Sequence, residues 1–495
     1  MSGEGGRQRL VDPQTLKGFQ DLLPADVIAR NVIIEKIRGV YERYGFLPLD
    51  TPVLEYLVTL VGTGGEETNK QLFRLESPER EPIAMRFDLT VPFARLIAQY
   101  PDRLKLPFRR YHIGPVFRAD KPGPGRFRQF TQFDIDIAGS DALTADAEIV
   151  AVMCDVMKEC GLKSGSAPGT STEDFEIRIN NRKLVDAVLE GSGITDREKQ
   201  KHVLRVVDKL QKVGINNVRK ELGEGRIDES GDPIRGVGLP AELVDQLLGF
   251  ISLRAGSRQE LVSSLDSMLP ASAKSRAAID EMTELAAALE SLDVAESDAI
   301  FDPSLTRGLD YYTGPVFEAH LPSAPEFGSV MGGGRYNHLV ERFLDTSIPA
   351  TGASIGLDRL MAALTHAGIV QSASTTSKVL VLSMAGTPAT ELLAIATTLR
   401  RNQISTEVYM GAEGASVRDQ LSFANSSGIP IAVLLGEDEL KNNTVSVKDL
   451  KLGMEKRSGI QDREAYRKSG RLGQATVERD KLVAAVQEML ERQQS

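Results

Sequence analysis

With 495 residues, 41% of them hydrophobic and 26% charged, the chain has the length for roughly two to four domains and the composition of a soluble globular protein. It lacks the run of about eighteen apolar residues that a membrane span needs, and its polar N-terminus lacks the apolar segment of a secretory signal. A net charge of −10 and an isoelectric point near 5.3 argue against a general nucleic-acid coat. We therefore expect a cytoplasmic protein that binds neither membranes nor DNA.

The first domain begins after a polar tail, residues 1–14, which we expect to be disordered, and it opens with an amphipathic helix that Gly45 ends. The next segment is extended and contains Pro48 and Pro52. Because proline has no backbone N–H to donate, this strand belongs at an edge or an interface. From 82 to 138 apolar and polar residues alternate, which predicts strands, and the loop KPGPGR joins the last two strands as a hairpin.

A predicted helix over 141–161 carries the two cysteines, Cys154 and Cys160, on different sides. We interpret them as buried thiols in a reducing compartment, with a disulfide or a metal site as the alternative. We assign no metal-ligating residues. A short strand over 175–181 follows the helix.

Residues 194–295 are charged and helical without a strand signal, and we predict a helical insertion there. The strand pattern returns at 296, followed by the glycine cluster GSVMGGGRY and a closing helix. Residues 15–193 and 296–366 therefore form one α+β domain, an antiparallel sheet with flanking helices.

The second domain follows a small, polar linker, residues 367–377. Strands and helices then alternate over 378–495, which predicts a small α/β domain with a mostly parallel sheet. We expect the last helix to span 476–492.

Basic side chains concentrate between residues 103 and 128, where eight lysines and arginines stand against one acid, Asp120. Such a strip inside an acidic chain indicates a phosphate ligand bound at one place. Neither a GxxxxGK[ST] loop nor a GxGxxG turn after an N-terminal strand is present. The partial HIGH match at His112 lies inside a predicted strand, and we interpret it as coincidental.

The hairpin FRADKPGPGRFRQFTQFDIDIAG carries the most chemistry. Arg118 and Arg126 stand at the two ends of its loop and can grip phosphate oxygens, since a guanidinium fork matches them. Gln132, Asp134 and Asp136 alternate, so their side chains share one face. A solvated hairpin is the alternative reading of this segment taken alone.

This hairpin resembles motif 2 of the class II aminoacyl-tRNA synthetases, and in detail that of the histidyl-tRNA synthetases. The resemblance implies that Arg118 holds the α-phosphate of ATP, that Arg126 reaches the ATP tail, and that Phe130 stacks on adenine. It also implies that Gln132 and Asp136 face a bound histidine.

The string RGLDYYTGPVFE, which begins at Arg307, matches the histidine-specific motif of that family almost letter for letter. An imidazole ring needs a partner at each nitrogen; Asp136 can accept from one N–H, and Tyr312 can hydrogen-bond to the ring. A site that pairs a substrate's polar atoms can reject an analogue lacking them by about 10⁴–10⁵. The resemblance adds Tyr311 to the histidine site and makes Arg307 a second guanidinium at the reacting α-phosphate.

Three further strings extend the resemblance. MRFDLTVP resembles the site for the substrate ammonium, which implies histidine contacts from Asp88, Leu89 and Thr90; a strand end that caps a helix is the alternative, and both roles can coexist. GGGRYNHLVERF resembles the glycine-rich floor, although Asn337-His338 replaces the usual Asp-Gly. GASIGLDRL resembles motif 3, with Arg359 as the arginine that covers ATP.

TPVLE resembles motif 1, which in the family belongs to the dimer interface. The C-terminal domain resembles the anticodon-binding domain of the same group, including LLGEDEL and TVSVKDL. Arg400, Arg401, Arg418 and Lys448 are candidates for contacts with RNA phosphates, with ordinary surface charge as the alternative for each.

The resemblance implies a ligase that joins L-histidine to histidine tRNA through a histidyl-adenylate, using ATP with Mg²⁺ and acting as a homodimer. Arg118 and Arg307 are the residues that we expect to be catalytic. The alternative is a non-catalytic, synthetase-like regulatory subunit of histidine biosynthesis. Such a paralogue would be expected to lose the RGLDYY motif, the phosphate arginines or the C-terminal domain, and all three are present.

Overall fold

The computed structural model divides into two compact units: Met1–Asp21 with Ile33–Val370, and Leu22–Val32 with Gln371–Ser495. The described residues are 11–62, 69–123, 126–164, 174–228, 231–306, 312–370, 374–412, 414–455 and 473–494. Within these ranges, no helix has both the length and the apolar character to cross a membrane.

Among the helices described up to residue 370, two are long, with 20 and 19 residues, and two are single turns of four residues. In chain order, the helices are α1 (Pro24–Arg43), α2 (Leu57–Leu60), α3 (Thr90–Gln99), α4 (Leu143–Glu159), α5 (Arg182–Gly191), α6 (Arg197–Val207), α7 (Leu210–Val213), α8 (Ile215–Leu222), α9 (Ala241–Ile251), α10 (Arg258–Met268), α11 (Ala273–Ser291) and α12 (Leu357–His366).

The strands of the first unit form sheets of nine, three and two strands. They are β1 (Leu47–Pro48), β2 (Leu54–Tyr56), β3 (Arg74–Glu76), β4 (Pro82–Met85), β5 (Phe108–Phe117), β6 (Gln129–Ala138), β7 (Lys163–Ser164), β8 (Asp174–Asn181), β9 (Gly225–Ile227), β10 (Pro233–Arg235), β11 (Ala299–Phe301), β12 (Pro315–His320), β13 (Met331–Arg335) and β14 (Ala350–Gly356).

The nine-stranded sheet has the order β1-β5-β6-β14-β13-β12-β8-β11, with β7 also beside β8. Its central pairings, from β5 through β8, are all antiparallel, as predicted. The pairings of β1 with β5 and of β7 and β11 with β8 are parallel, which the sequence analysis did not anticipate. These outer strands are two or three residues long, too short for a direction to be read from alternation.

The larger hydrophobic cluster of the first unit lies on one face of the large sheet, and a second cluster contains Phe93 of α3 and Ala138 of β6. Along β6, Phe133, Ile135 and Ile137 are buried in a cluster with residues of α1 and α4. Because strand side chains alternate between faces, the intervening polar residues of β6 must lie on the other face. Cys154 and Cys160 belong to the same core and are free, which confirms their interpretation as buried thiols.

The predicted insertion is helical, but it also contains the antiparallel pair β9–β10, which contradicts the expectation of no strand there. Each of these strands has three residues, so no alternation could mark them in the sequence. The insertion has no separate core: Val218, Leu247 and Ile279 join the hydrophobic cluster that contains Ile135 of the large sheet. It therefore folds onto the sheet domain as one body with it.

The second unit contains a five-stranded sheet with helices. Its elements are β15 (Val379–Val381), α13 (Ala389–Arg401), β16 (Thr406–Val408), α14 (Val417–Ser426), β17 (Ile431–Leu434), α15 (Glu437–Asn442), β18 (Thr444–Asp449), α16 (Leu450–Glu455), β19 (Gln474–Glu478) and α17 (Leu482–Gln494).

Two expectations for this unit were wrong. The sheet order is β16-β15-β17-β18-β19, and only β15 pairs in parallel, with β16 and β17, whereas β18 pairs antiparallel with both of its neighbours. The last helix begins at Leu482 rather than at 476, because Gln474–Glu478 is drawn into the sheet by pairing with β18. Tertiary pairing thus decides the structure of a segment whose local pattern is ambiguous.

Candidate active site

A cavity of about 460 Å³ lies over the polar face of the large sheet. Its lining comes from β6, β13 and β14, from the turn between β4 and α3, and from the start of α12. The structure brings nine of the predicted site residues together in that lining: Asp88, Thr90, Arg118, Arg126, Phe130, Gln132, Asp136, Tyr312 and Arg359.

Three predicted site residues are not part of the described lining. Leu89 is completely buried and takes part through its backbone, where its carbonyl oxygen accepts from Nη2 of Arg110 at 3.1 Å. Arg307 and Tyr311 lie outside the described residues. Their roles stay predictions from the resemblance.

The floor of the cavity follows from the register of β6 with its two neighbours. Residues directly opposite each other in an antiparallel pair project to the same face. The cross-strand neighbours of Gln132, Asp134 and Asp136 are Gly114, His112 and Arg110 on β5, and Gly356, Ser354 and Gly352 on β14. The predicted shared face of the three β6 side chains is confirmed, since all three line the cavity.

Asp136 is held from two sides. Its Oδ2 lies 2.6 Å from Nη2 of Arg110, whose side chain is fully buried, and its Oδ1 accepts from the hydroxyl of Tyr336. Burial raises the pKa of Asp136 to about 6, although Arg110 and the Tyr336 hydroxyl both act to lower it. The carboxylate is therefore fixed in place and largely charged at neutral pH.

Two more carboxylates share this end of the cavity. Asp134 is 1% exposed, and burial raises its pKa to about 7. Asp88 is only partly buried; burial raises its pKa, while the backbone N–H of Val91, which donates to Oδ1 at 3.0 Å, acts against that rise. Asp88 thus accepts from a backbone N–H in the first turn of α3 and also lines the cavity.

Glycines make room for these side chains. A Cβ on Gly352 would lie 2.2 Å from Oδ1 of Asp136 and 2.4 Å from the carbonyl oxygen of Ile135. A Cβ on Gly334 would lie 3.0 Å from the ring of Tyr312. The glycine triplet is part of strand β13 rather than a loop, and its value is close approach across the sheet.

Three arginines also line the cavity, and the part they line is called the arginine end. The guanidinium of Arg118 lies 5.2 Å from the centre of the Phe130 ring, and its Nε donates to the carbonyl oxygen of Phe87 at 3.0 Å. Arg359, in the first turn of α12, donates from Nη1 to the carbonyl oxygen of Ser329 at 2.7 Å. Arg126 has a side chain that is 64% exposed, 3.6 Å from Asp120.

The structure does not gather the whole basic strip at the cavity. Of its eight basic residues, Arg118 and Arg126 line the cavity. Alternation along β5 sends Arg109 to the other face, where it pairs with Glu148 at 2.6 Å, and places Arg110 under Asp136.

Sequence reasoning missed the two residues that hold Asp136. Arg110 was counted only as one charge of the strip, although its offset of two from His112 would have placed it on the polar face. Tyr336 follows Arg335 directly after the glycine triplet, but its partner is 200 positions away in the chain, so no local signal marks it. Asn337-His338, in place of Asp-Gly, forms a turn in which neither residue has a positive φ.

The chain resembles known proteins over almost its whole length. A family model described as histidyl-tRNA synthetase matches residues 18–360, and one described as anticodon binding domain matches residues 378–489. The histidine–tRNA ligase of Caulobacter vibrioides is 40% identical over 485 residues, covering 96% of each chain. This chain belongs to the histidyl-tRNA synthetase family.

Two more members of the histidyl-tRNA synthetase family agree with the assignment. The histidine–tRNA ligase of Paracoccus denitrificans is 39% identical, over 92% of this chain and 93% of its own. The crystal structure of histidyl-tRNA synthetase from Nostoc sp. PCC 7120 superposes with a TM-score of 0.77 at 29% identity, covering 97% of this chain and 100% of the other. The fold, an antiparallel sheet domain and a C-terminal domain with its own sheet, is thus that of the family.

Proposed function

We propose that the cavity is where this chain carries out the histidine–tRNA ligase reaction of its family, activating histidine with ATP before transfer to tRNA. The observation that carries the proposal is that one cavity is lined both by the carboxylates Asp88, Asp134 and Asp136, here called the carboxylate end, and by the three arginines of the arginine end. Histidine brings a cationic ammonium and ring N–H donors, and ATP brings phosphates, so each reactant fits one end.

The carboxylate end provides the acceptors that histidine requires. We assign Asp88 and Thr90 to the ammonium group, and Gln132, Asp136 and Tyr312 to the rest of the amino acid, as the resemblance implies. Tyr311 is assigned with them by resemblance alone. Arg110 and Tyr336 support these assignments indirectly, because they hold the Asp136 carboxylate where a substrate donor can meet it.

The arginine end provides charge for the nucleotide. We assign Arg118 to the α-phosphate, Arg126 to the ATP tail, Phe130 to the adenine ring and Arg359 to the cover over ATP. Arg118 already lies against the Phe130 ring, so a phosphate and a base bound by these two residues would be neighbours. Arg307 is assigned by resemblance to the α-phosphate and the reacting carboxylate.

The chemistry that follows needs no general base in its first step. The histidine carboxylate, already a nucleophile, attacks the α-phosphorus of ATP; a P–O bond forms to the carboxylate, and the bond to pyrophosphate breaks. A terminal ribose hydroxyl of the tRNA then attacks the carbonyl carbon, its proton is lost, and AMP leaves. Arg118 and Arg307 act by offsetting charge in the transition state and by holding the reactants in line.

Mg²⁺ belongs to the ATP substrate in this proposal. The described residues contain no group of three or more side chains suited to hold a metal ion by themselves. Mg²⁺ is commonly held by substrate phosphates, water and one or two carboxylates, so the residues present are compatible with an ion that enters on ATP and neutralises its charge.

The tRNA and a second subunit complete the proposal. The C-terminal unit matches the anticodon-binding family model, which supports recognition of the anticodon region of histidine tRNA. Leu54, in the segment that resembles motif 1, is 46% exposed, and Tyr56 and Val58, which follow that segment, are 55% and 79% exposed, which supports a homodimer interface there. We expect the protein in the cytoplasm.

The test is ATP–pyrophosphate exchange with the purified full chain, run with each of the twenty amino acids and without tRNA. Exchange with histidine alone supports the proposal. Absence of exchange, with histidine still bound in calorimetry, would favour the non-catalytic regulatory subunit instead. Exchange with another amino acid would overturn the assignment of the carboxylate end.

A further inference from the structure

A turn before α1, residues 16–19 and here called the N-terminal turn, lies against the loop that joins β5 to β6. The backbone N–H of Phe19 closes the turn by donating to the carbonyl oxygen of Leu16 at 2.9 Å. Its third residue, Gly18, has a φ of 86°, which a residue with a side chain rarely adopts. The shape of the turn therefore favours glycine at this position, and the proposed function gives the turn no role.

Arg128 joins the N-terminal turn to both sides of the β5–β6 loop. Its backbone N–H donates to the carbonyl oxygen of Gly18 at 2.7 Å, and its Nη1 donates to that of Lys17 at 3.4 Å. Its Nε donates across the loop to the carbonyl oxygen of Asp120 at 3.1 Å. A Cβ on Gly18 would lie 2.9 Å from Cγ of Arg128 and 2.9 Å from Cγ of Pro122. The contact between turn and loop therefore has no room for a side chain.

The same loop carries two of the arginines assigned to ATP. The regular pairing of β5 with β6 ends where the loop begins, so the shape of the loop depends on its other contacts. The backbone N–H of Arg118 donates to the carbonyl oxygen of Arg128 at 2.8 Å, and the side chain of Arg126 lies 3.6 Å from Asp120. Arg128 thus contacts Arg118 directly and is linked to Arg126 through Asp120.

A second contact holds the N-terminal turn against the first unit. The ring of Phe19 packs edge-on against that of Phe73, with centroids 6.0 Å apart. Two residues before Phe73, the carbonyl oxygen of Gln71 accepts from the backbone N–H of Ala119 in the loop at 2.8 Å, and Gln71 lines the cavity. The turn and the segment around Gln71 therefore hold the loop at two separate points.

We propose that the N-terminal turn is a positioning element for ATP, and that Gly18 is the residue on which its fit to the loop depends. The inference rests on the proposed function, because Arg118 and Arg126 are assigned to ATP there. A side chain at Gly18 must push the turn and the loop apart, and both arginines belong to that loop. A displacement of about 1 Å in an active site can cost about 10²-fold in rate. Asp136 is held separately, by Arg110, so histidine binding should not depend on the turn.

The test compares Gly18→Ala with Gly45→Ala as a matched control. Gly45 also has a positive φ, 76°, so alanine adds a similar backbone strain there, but nothing lies within 4 Å of a Cβ at that position. We expect Gly18→Ala to lower kcat/KM for ATP in histidine-dependent pyrophosphate exchange by about tenfold or more. Gly45→Ala should leave it near the wild-type value, and the Kd of histidine in calorimetry should be unchanged in both variants.

The outcomes separate the possible failures. Comparable losses in the two glycine variants would assign the effect to backbone strain and overturn the proposal. A parallel loss of histidine affinity in Gly18→Ala, or an unchanged kcat/KM for ATP, would overturn it as well. Wild-type protein without histidine-dependent exchange would refute the proposed function instead.

A second variant decides if Gly18→Ala does not fold. Arg128→Lys keeps the charge but lacks the planar fork that reaches the carbonyl oxygens of both Lys17 and Asp120. We expect its kcat/KM for ATP, measured without tRNA, to fall by about three- to tenfold at an unchanged Kd for histidine. A wild-type value for ATP in this variant would contradict the proposal.

Discussion

The carboxylate end and the arginine end of the cavity differ in burial and in the elements that support them. The carboxylate end is part of the sheet itself, with Asp134 and Asp136 only 1% and 3% exposed and Arg110 fully buried beneath them. The arginine end is formed by long side chains at the rim, among which Arg126 is 64% exposed and lies 3.6 Å from Asp120. The carboxylate end is fixed by strand register, whereas the arginine end is formed by long side chains, two of which donate to backbone carbonyl oxygens.

This difference indicates which part of the cavity determines selectivity for the amino acid. Charges in a buried site interact strongly and are costly to leave unmatched, whereas exposed charges are screened and individually weak. A small amino acid must be distinguished from nineteen others, which requires the rigid end. ATP is recognised largely by its charge, for which adaptable guanidinium groups suffice.

Removal of the buried cation should have the largest effect. Arg110→Met roughly keeps the length of the side chain but removes the cation from Asp136 and the donor from the Leu89 carbonyl. Breaking one side of a buried ion pair typically costs about 3–5 kcal/mol, and we expect a loss of that size in urea denaturation followed by circular dichroism.

The matched control for Arg110 is its neighbour on the same strand. Arg109 projects to the opposite face and pairs with Glu148 while 34% exposed. Arg109→Met should cost under about 1 kcal/mol. Equal losses in the two variants would contradict the contrast between a buried charged floor and an ordinary surface.

Substitutions at the arginine end should change the reaction rate rather than the stability of the protein. Arg118→Ala removes a cation from the proposed α-phosphate site, and we expect kcat for histidine-dependent exchange to fall by about 10²–10³. Histidine affinity in calorimetry should stay near wild type, because the carboxylate end is intact. Arg103→Ala is the control, since Arg103 packs against Tyr100 outside the cavity. A large loss of histidine affinity would show that the two ends are not separate.

A smaller effect should follow from Tyr336→Phe, which removes the hydroxyl that donates to Asp136. A hydrogen bond to a charged group contributes about 1.5–3 kcal/mol, so the KM for histidine should rise by about ten- to a hundredfold while the KM for ATP is unchanged. Tyr44→Phe removes a similar bond, to Asp155 at 2.9 Å, outside the cavity and should leave both constants unaltered. A rise in the KM for ATP alone would reverse our assignment of the ends.

The sequence predicted the site better than the scaffold around it, for physical reasons. Alternation along β6 is a local property, and it placed Gln132, Asp134 and Asp136 on one face correctly. Arg118, Phe130 and their loop lie in one hairpin, so their proximity is also local.

The features that the sequence did not predict depend on contacts between residues far apart in the chain. The partner of Asp136 in space, Tyr336, is 200 residues away, and the parallel pairing of β1 with β5 leaves no mark in two residues of strand. Likewise, Gln474–Glu478 reads equally well as the start of a helix until β18 is known to lie beside it. Local patterns identify faces, whereas contacts across the sheet decide which faces meet.

The smallest effect that we expect is on the free energy of unfolding, and it comes from burying the Asp134 carboxylate. Burial raises the pKa of Asp134 to about 7, above the value of about 3.9 for an unfolded chain. Between these two values the folded protein binds a proton that the unfolded chain lacks, so the stability contributed by this group falls as pH rises toward 7 and stays lost above it.

The Asp134→Asn variant has no carboxylate to ionise at this position, so we expect it to be more stable than wild type at pH 8. The expected gain is only about 1 kcal/mol, because proton uptake is shared with Asp136 and Asp88. The difference in thermal midpoint between the two proteins should shrink as pH falls from 8 to 5. A constant difference across this range would mean that burial does not penalise the charged form of Asp134.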